Sequence, residues 1–205
     1  MMKLILASNN AHKLIEFSQL FSRMEGVELI SQREAGCTFE VDENGTTFEE
    51  NSYLKAIAVT RATGCAAIAD DSGLVVDALN GEPGIYSARY GLGHEATDEQ
   101  RYRYLLNKLG DEKDRSARFV CCICCTFPNG DVIRARGECE GEILYGPSGA
   151  NGFGYDPIFK PHCCDRSMSE ISPEEKNRIS HRANAMVKFA ELFKEYLRNN
   201  TQNGE

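Results

Sequence analysis

The sequence predicts an α/β chain folded as a single domain with room for two lobes. Short apolar runs alternate with segments of helical period along most of its length. Its 205 residues are enough for one substantial core, and 18 Gly with 6 Pro imply no long flexible linker. Three polar clusters, residues 8–13, 42–50 and 70–72, stand where expected strands end or expected helices begin. In α/β folds those ends converge on the ligand crevice.

Residues 3–7 form a mostly apolar run that reads as a strand, and Leu14, Phe17, Leu20, Phe21 and Met24 then recur at three- and four-residue spacing as one face of a helix. Between them lie Ser8, Asn9, Asn10, Ala11 and His12, whose Ser and Asn side chains can cap the helix while its first N–H groups face an anion. Residues 27–31 read as a second strand. An acidic stretch, 40–45, precedes Thr47-Phe48-Glu49-Glu50, a capping box for a helix that runs to Thr63 and stops at Gly64. A short buried strand over 66–69 ends in Asp70-Asp71-Ser72-Gly73, and 74–79 reads as another. Thr97-Asp98-Glu99-Gln100 opens a helix that ends before Gly110.

Residues 117–127, ARFVCCICCTF, place apolar and small side chains at consecutive positions, as a strand buried on both faces does. Pro128-Asn129-Gly130 and a strand over 132–136 complete a hairpin. A glycine-rich loop covers 146–157. Ser172-Pro173-Glu174-Glu175 caps the last helical segment, with Pro at its first position. Successive residues Ser180, His181 and Arg182 would face three directions in a regular helix, which predicts a break or new cap at Ser180. His181 and Arg182 would then project from the first turn of the final helix toward the crevice of Lys176. Ala183, Met186, Ala190, Phe193 and Leu197 keep one face of that helix, and a polar tail over 198–205 is expected to fray, leaving 1–197 as the domain. The chain has no internal repeat.

Charge narrows the partners. Asp and Glu number 31 against 23 Lys and Arg, a net charge of −8, and no block of five like charges occurs. This argues against a nucleic-acid partner, whose backbone is held by many Lys and Arg contacts. A small phosphorylated ligand needs only local cations or a bridging metal. The longest apolar run, 119–127, is too short for a membrane helix, and the amino terminus lacks the apolar stretch of a signal peptide, so no membrane partner and a cytoplasmic location are expected. Nine cysteines then read as free thiols. The C-x-x-C spacings Cys121/Cys124 and Cys122/Cys125 overlap and cannot form two zinc knuckles. Packing as small hydrophobes is the reading adopted, with a metal or redox module as the alternative.

Chemistry can be sought in a few places. Adjacent aspartates Asp70 and Asp71 put one carboxylate toward each face of a strand, so at most one of them points directly into a site. With Asp42 or Glu43 as a second carboxylate, a Mg²⁺ ion could be held by one or two protein oxygens plus phosphate oxygens and water. Lys13, Lys55 and Lys176 lie near helix starts or acidic clusters and suit phosphate neutralisation. Gly152-Phe153-Gly154-Tyr155-Asp156-Pro157 offers two glycines for close backbone approach and two aromatics that can stack on a flat base. Each has a plainer reading as a solvated turn, a surface lysine or a β-turn.

Five strings in order, LASNNAHKLIE, TFEENSYLKA, AIADDSGLVVDALNGEPGIYSARY, GFGYDPIF and EEKNRISHRANA, resemble the noncanonical purine nucleoside triphosphate pyrophosphatases, the inosine triphosphate pyrophosphatase or dITP/XTP diphosphatase family, over residues 6–185. The resemblance implies an elongated two-lobed fold around a long mixed β-sheet flanked by helices, a homodimer, and Mg²⁺-dependent hydrolysis of dITP, ITP or XTP to the monophosphate and pyrophosphate, which cleanses the nucleotide pool of deaminated purines. It further implies that Ser8, Asn9, Asn10, Ala11, His12 and Lys13 form the phosphate loop, although relatives more usually have Gly at the position of Asn9. Asp42 and Asp71 would be the metal ligands, Asp71 the general base, and Ser72, Phe153, Gly154, Tyr155, Asp156, Lys176, His181 and Arg182 the remaining substrate contacts, beside Lys55. Two other activities stay open: hydrolysis of modified pyrimidine triphosphates on the same kind of fold, and nucleotide sensing without chemistry.

Overall fold

The structure, a computed structural model, describes residues 2–202 except 23, 25, 92 and 94, and only the backbone of residues 12, 20, 201 and 202. Its strands are β1 (Met2–Leu6), β2 (Val27–Ser31), β3 (Ala66–Val76), β4 (Ser116–Thr126), β5 (Val132–Ile143) and β6 (Phe159–Pro161). Its helices are α1 (Ala11–Phe21), α2 (Phe48–Thr63), α3 (Asp98–Leu109), α4 (Pro173–Ile179) and α5 (His181–Gln202). One six-stranded sheet has the order β2-β1-β3-β4-β5-β6. It is mixed: β1 is parallel to β2 and to β3, whereas β5 and β6 are antiparallel. This is the α/β class, with helices flanking a mixed sheet, that the sequence predicts.

The chain divides into two compact units. The first comprises residues 1–71, 121–137 and 183–205, and the second 72–120 and 138–182. Side chains alternate across a strand, and in the first unit that parity sorts the core. Leu4, Leu6, Ala66, Ile68, Cys121, Ile123 and Cys125 pack with Phe17 and Phe21 of α1 and Phe189 and Phe193 of α5. Ile5, Ala7, Ala67 and Ala69 pack with Ala56 and Val59 of α2. Each fully buried Phe contributes about 1.5–3 kcal/mol of transfer free energy. The cysteine strand is a core element on both faces, as its composition predicts. In the second unit Leu74, Val76, Ala117, Phe119 and Phe159 pack with Tyr102, Leu105 and Leu109 of α3.

Three local expectations change. The strands expected at 66–69 and 74–79 are one strand, β3, which passes through Asp70-Asp71-Ser72-Gly73 and ends at Val76 before a 3-10 turn at Asp77–Leu79. Buried polar side chains are tolerated within a strand when they are paired, and both aspartates are. The strand expected at 132–136 continues to Ile143. At α2, Thr47 caps the Glu50 amide, but the Glu50 carboxylate accepts from the amide of Thr46 (2.6 Å) rather than closing a reciprocal box. The boxes opening α3 and α4 are reciprocal. Ser180 ends α4 in extended conformation and α5 starts at His181, the break that the sequence predicts. Helix α5 runs past Arg198 to Gln202. None of the described helices is long and apolar enough to cross a membrane.

Candidate active site

Strand parity places the two aspartates. Asp70 shares the face of Ala66 and Ile68, toward α1, and Asp71 shares that of Ala67 and Ala69, toward α2. Accordingly Lys13, in the first turn of α1, sets Nζ 3.0 Å from Asp70 Oδ2 and donates to the Asp70 carbonyl (3.4 Å). Lys55 of α2 sets Nζ 3.0 Å from Asp71 Oδ1 and 3.3 Å from Glu43 Oε2. One helical turn earlier, Asn51 donates from Nδ2 to Asp71 Oδ2 (3.3 Å). Both aspartates are buried. Burial raises the Asp71 carboxyl above the ordinary carboxylate value against the opposing charges of Lys55 and Lys13. Burial works against the Lys55 ammonium too, but the charges of Asp71, Glu43 and Asp70 outweigh it and raise the pKa above that of an ordinary lysine.

The phosphate loop expected at residues 8–13 joins β1 to α1. Ser8 Oγ accepts from the Asn10 amide (3.2 Å), and Asn10 Oδ1 accepts from the Lys13 amide (3.2 Å), as an N-cap does. Asn9, Asn10 and Ala11 are exposed, and the side chain of His12 lies outside the described residues. Asn9 does not take a left-handed backbone, since Asn80 is the non-glycine residue at positive φ among those described. Its Oδ1 instead accepts from Gln32 Nε2 (2.9 Å). Asp42 is exposed on the irregular segment before α2, and Glu43, next to it, is the carboxylate that shares Lys55 with Asp71. Among the described residues no three His, Cys, Asp or Glu side chains are gathered to hold a metal. The carboxylates here are hard oxygen donors of the type Mg²⁺ takes one or two at a time, completing its shell with phosphate and water.

The second unit builds its own polar cluster. Positive φ at Gly152 (77°) and Gly154 (63°) curls the loop so that Asp156 Oδ2 accepts from the Phe153 amide (2.9 Å) and from Lys176 Nζ (2.7 Å). Lys176 also lies 4.5 Å from the Phe153 ring centroid. Gly154 donates its amide to Asp98 Oδ2 (2.6 Å). Phe153 is half-buried, whereas Tyr155 is in the core, its hydroxyl donating to the Ser87 carbonyl (2.9 Å). Of the two aromatics expected to meet a base, Phe153 is therefore the accessible one. His181 stacks on Phe119 with ring centroids 4.8 Å apart, and Arg182 Nη2 donates to Ser72 Oγ (3.4 Å). Both His181 and Arg182 are buried.

A cluster of partly buried lysines and buried aspartates beside a short Ser/Asn loop suits a polyanion and a proton acceptor. The family model of the Ham1 family matches residues 4–192. The chain belongs to the Ham1 family. Its relatives include a dITP/XTP pyrophosphatase of Staphylococcus aureus, 47% identical over 91% of this chain and 93% of the relative. Among solved structures it is similar to the Staphylococcus aureus Ham1 protein (TM-score 0.86, 44% identity, covering 95% of this chain and 99% of that one). It is also similar to a Ham1 protein from Coxiella burnetii (TM-score 0.87, 41% identity, 95% and 100% coverage). In this Ham1 chain, four residues that sequence reasoning did not single out hold the clusters together: Gln32, Asn51, Asp98 and Ser87. Asn51 had a signal, its i−4 spacing from Lys55 on α2; Asp98 was legible only as a helix-cap neighbour.

Proposed function

We propose that this Ham1-family chain hydrolyses noncanonical purine nucleoside triphosphates (dITP, ITP and XTP) to the monophosphate and pyrophosphate. The observation that carries the reading is the pair of buried contacts on opposite faces of one strand, Lys13 with Asp70 and Lys55 with Asp71. The name and 47% identity of the Staphylococcus aureus relative support it. In this reading the loop of Ser8, Asn9, Asn10, Ala11 and His12, with Lys13 and Lys55, receives the triphosphate and offsets its charge. Asp71 takes a proton from the attacking water as the water oxygen bonds to the α-phosphorus and the bond to the β-phosphate oxygen breaks, releasing pyrophosphate.

Asp71, with Asp42 as the second ligand, would hold Mg²⁺, and the oxygen donors present suit it. When bound, the ion supplies charge neutralisation and orientation of the phosphates. In the second unit, Phe153, Gly154, Tyr155 and Asp156 form the base loop, with Ser72, Lys176, His181 and Arg182 as the other contacts. The amides of Phe153 and Gly154 are already given to Asp156 and Asp98. Selection of a 6-oxo purine therefore falls to side-chain donors such as His181 and Arg182, because a 6-amino group leaves a buried donor unsatisfied. A homodimer acting in the cytoplasm completes the proposal.

The test is a panel of dITP, ITP, XTP, dATP, dGTP and a modified pyrimidine triphosphate, incubated with purified protein and Mg²⁺. Pyrophosphate from the first three is the expected product. Orthophosphate instead, or turnover confined to the pyrimidine, overturns the assignment.

A further inference from the structure

Helix α2 holds both oxygens of the Asp71 carboxylate. Lys55 takes Oδ1 at 3.0 Å, and Asn51, one turn earlier and fully buried, takes Oδ2 at 3.3 Å. The other end of the same carboxamide is also used, since Asn51 Oδ1 accepts from the Gly45 amide at 2.9 Å. The contact with Gly45 is tight enough that a Cβ there would stand 2.7 Å from Asn51 Oδ1 and 2.7 Å from Glu50 Cβ. One neutral side chain thus connects the acidic segment carrying Asp42 and Glu43 to Asp71 in the middle of β3.

The two donors on Asp71 differ in what a triphosphate does to them. An ammonium is drawn toward phosphate oxygens and shares its hydrogen bonds with them. A carboxamide has no net charge and keeps its bond to the carboxylate. We infer that Asn51 is a positioning residue: it fixes the plane of the Asp71 carboxylate, and the place of the Asp42–Gly45 segment relative to it, while Lys55 is engaged with substrate phosphates. This rests on the assignment of Asp71 as proton acceptor made above.

Four forms of the full chain test it: wild type, Asn51→Asp, Asp71→Asn and the exchange Asn51→Asp/Asp71→Asn, with Asn51→Ala alongside. Asn51→Asp keeps an acceptor for the Gly45 amide but loses the donor to Asp71 and sets a second carboxylate against it. With saturating Mg²⁺ and dITP its kcat is expected to fall at least tenfold with KM changed less than threefold, the mark of lost transition-state geometry rather than lost binding. Amide hydrogen exchange at Gly45 stays slow in Asn51→Asp and accelerates at least tenfold in Asn51→Ala. Melting without metal or nucleotide supplies a readout free of activity. The exchange variant puts the donor at position 71 and the acceptor at 51, so it is expected to recover at least half of the Tm lost in Asn51→Asp.

An exchange variant no more stable than Asn51→Asp overturns the inference. So does a kcat within twofold of wild type, or an Asn51→Ala variant in which KM alone rises. If wild type releases no pyrophosphate from dITP, the proposed function fails, whereas the melting cycle and Gly45 exchange still decide the role of Asn51.

Discussion

Removing the Lys13 ammonium while leaving Asp70 in place takes the ion-pair partner from a buried carboxylate. Lys13 Nζ lies 3.0 Å from Asp70 Oδ2, with the lysine side chain 15% exposed and the aspartate side chain 0%. Taking one partner from a buried ion pair costs about 3–5 kcal/mol, because the remaining charge is stranded in a poorly polarisable interior. The partial exposure of Lys13 lets water screen part of the loss, which puts Lys13→Met near about 3 kcal/mol. For a chain of this size each kcal/mol lowers Tm by about 2–4 °C, so the expected drop is about 6–12 °C. Lys13→Met/Asp70→Asn removes both charges and leaves an amide that needs hydrogen bonds only, at about 1–2 kcal/mol. The signature is therefore a double variant more stable than the single one.

Melts are followed by far-UV circular dichroism without nucleotide or metal, so that Lys13's proposed phosphate contact does not enter, and hydrogen exchange in β1 and α1 identifies the transition of the unit containing the pair. A single variant that loses less than 2 °C, or a double variant that loses as much as the sum of its parts, would show that the contact does not bear the buried charge.

Other expectations follow from the same geometry. Asp71→Asn keeps the shape and loses the proton acceptor, so turnover should fall about 10²- to 10⁴-fold while nucleotide binding, read by calorimetry, survives; unchanged turnover removes Asp71 from the role. Gly152→Ala meets two obstacles, φ of +77° and a Cβ only 2.1 Å from Asp156 Oδ2. Displacing Asp156 disturbs its bonds to Phe153 and Lys176, and overpacking of about 1–3 kcal/mol should appear as a rise in KM of roughly tenfold, measured with dITP. Native protein treated with iodoacetamide at pH 8 should be modified at the exposed Cys163 and spared at the buried thiols of β4. Burial pushes Cys124 up to about 11 and Cys139 up to about 12, so at that pH roughly a thousandth of Cys124, or less, is thiolate. Raising the pH toward 11 should increase labelling, and peptide mass spectrometry that finds Cys122 or Cys124 modified first would contradict the burial argument.

What the sequence made legible was local. Caps at Thr47, Thr97 and Ser172 are decided within four residues, and the break at Ser180 follows from the direction in which neighbouring side chains point. The cysteine run reads as a buried strand from composition alone. Contacts between distant segments were not legible. Asp70 and Asp71 interrupted an apolar run and so suggested a strand end, because the partners that let them stay within β3 come from α1, 57 residues away, and from α2, 16 and 20 residues away. Tyr155 looked as available for stacking as Phe153. Its hydroxyl is committed to Ser87, 68 residues distant, and the ring goes into the core with it. Likewise Asp98 is an ordinary first-turn acid until Gly154, 56 residues on, brings its amide to it.

Parity along β3 also explains why the two lysine–carboxylate contacts cannot stand in for one another. A strand turns successive side chains to opposite faces, so Asp70 meets α1 and Asp71 meets α2. The α1 side offers Asp70 Lys13 and the thiol of Cys121 (3.9 Å), whereas the α2 side offers Asp71 Lys55, Asn51 and the carboxylate of Glu43 through Lys55. A one-residue slip of β3 against β1 would bring Asp71 to the face of Lys13, away from Asn51 and Glu43, and would carry Ala67 and Ala69 out of the α2 core at the same time. The small apolar residues before the aspartates hold the register on which the acidic cluster depends. Substitutions at Ala67 or Ala69, which pack in the α2 core, are therefore expected to disturb the acidic cluster as directly as changes among the charges themselves.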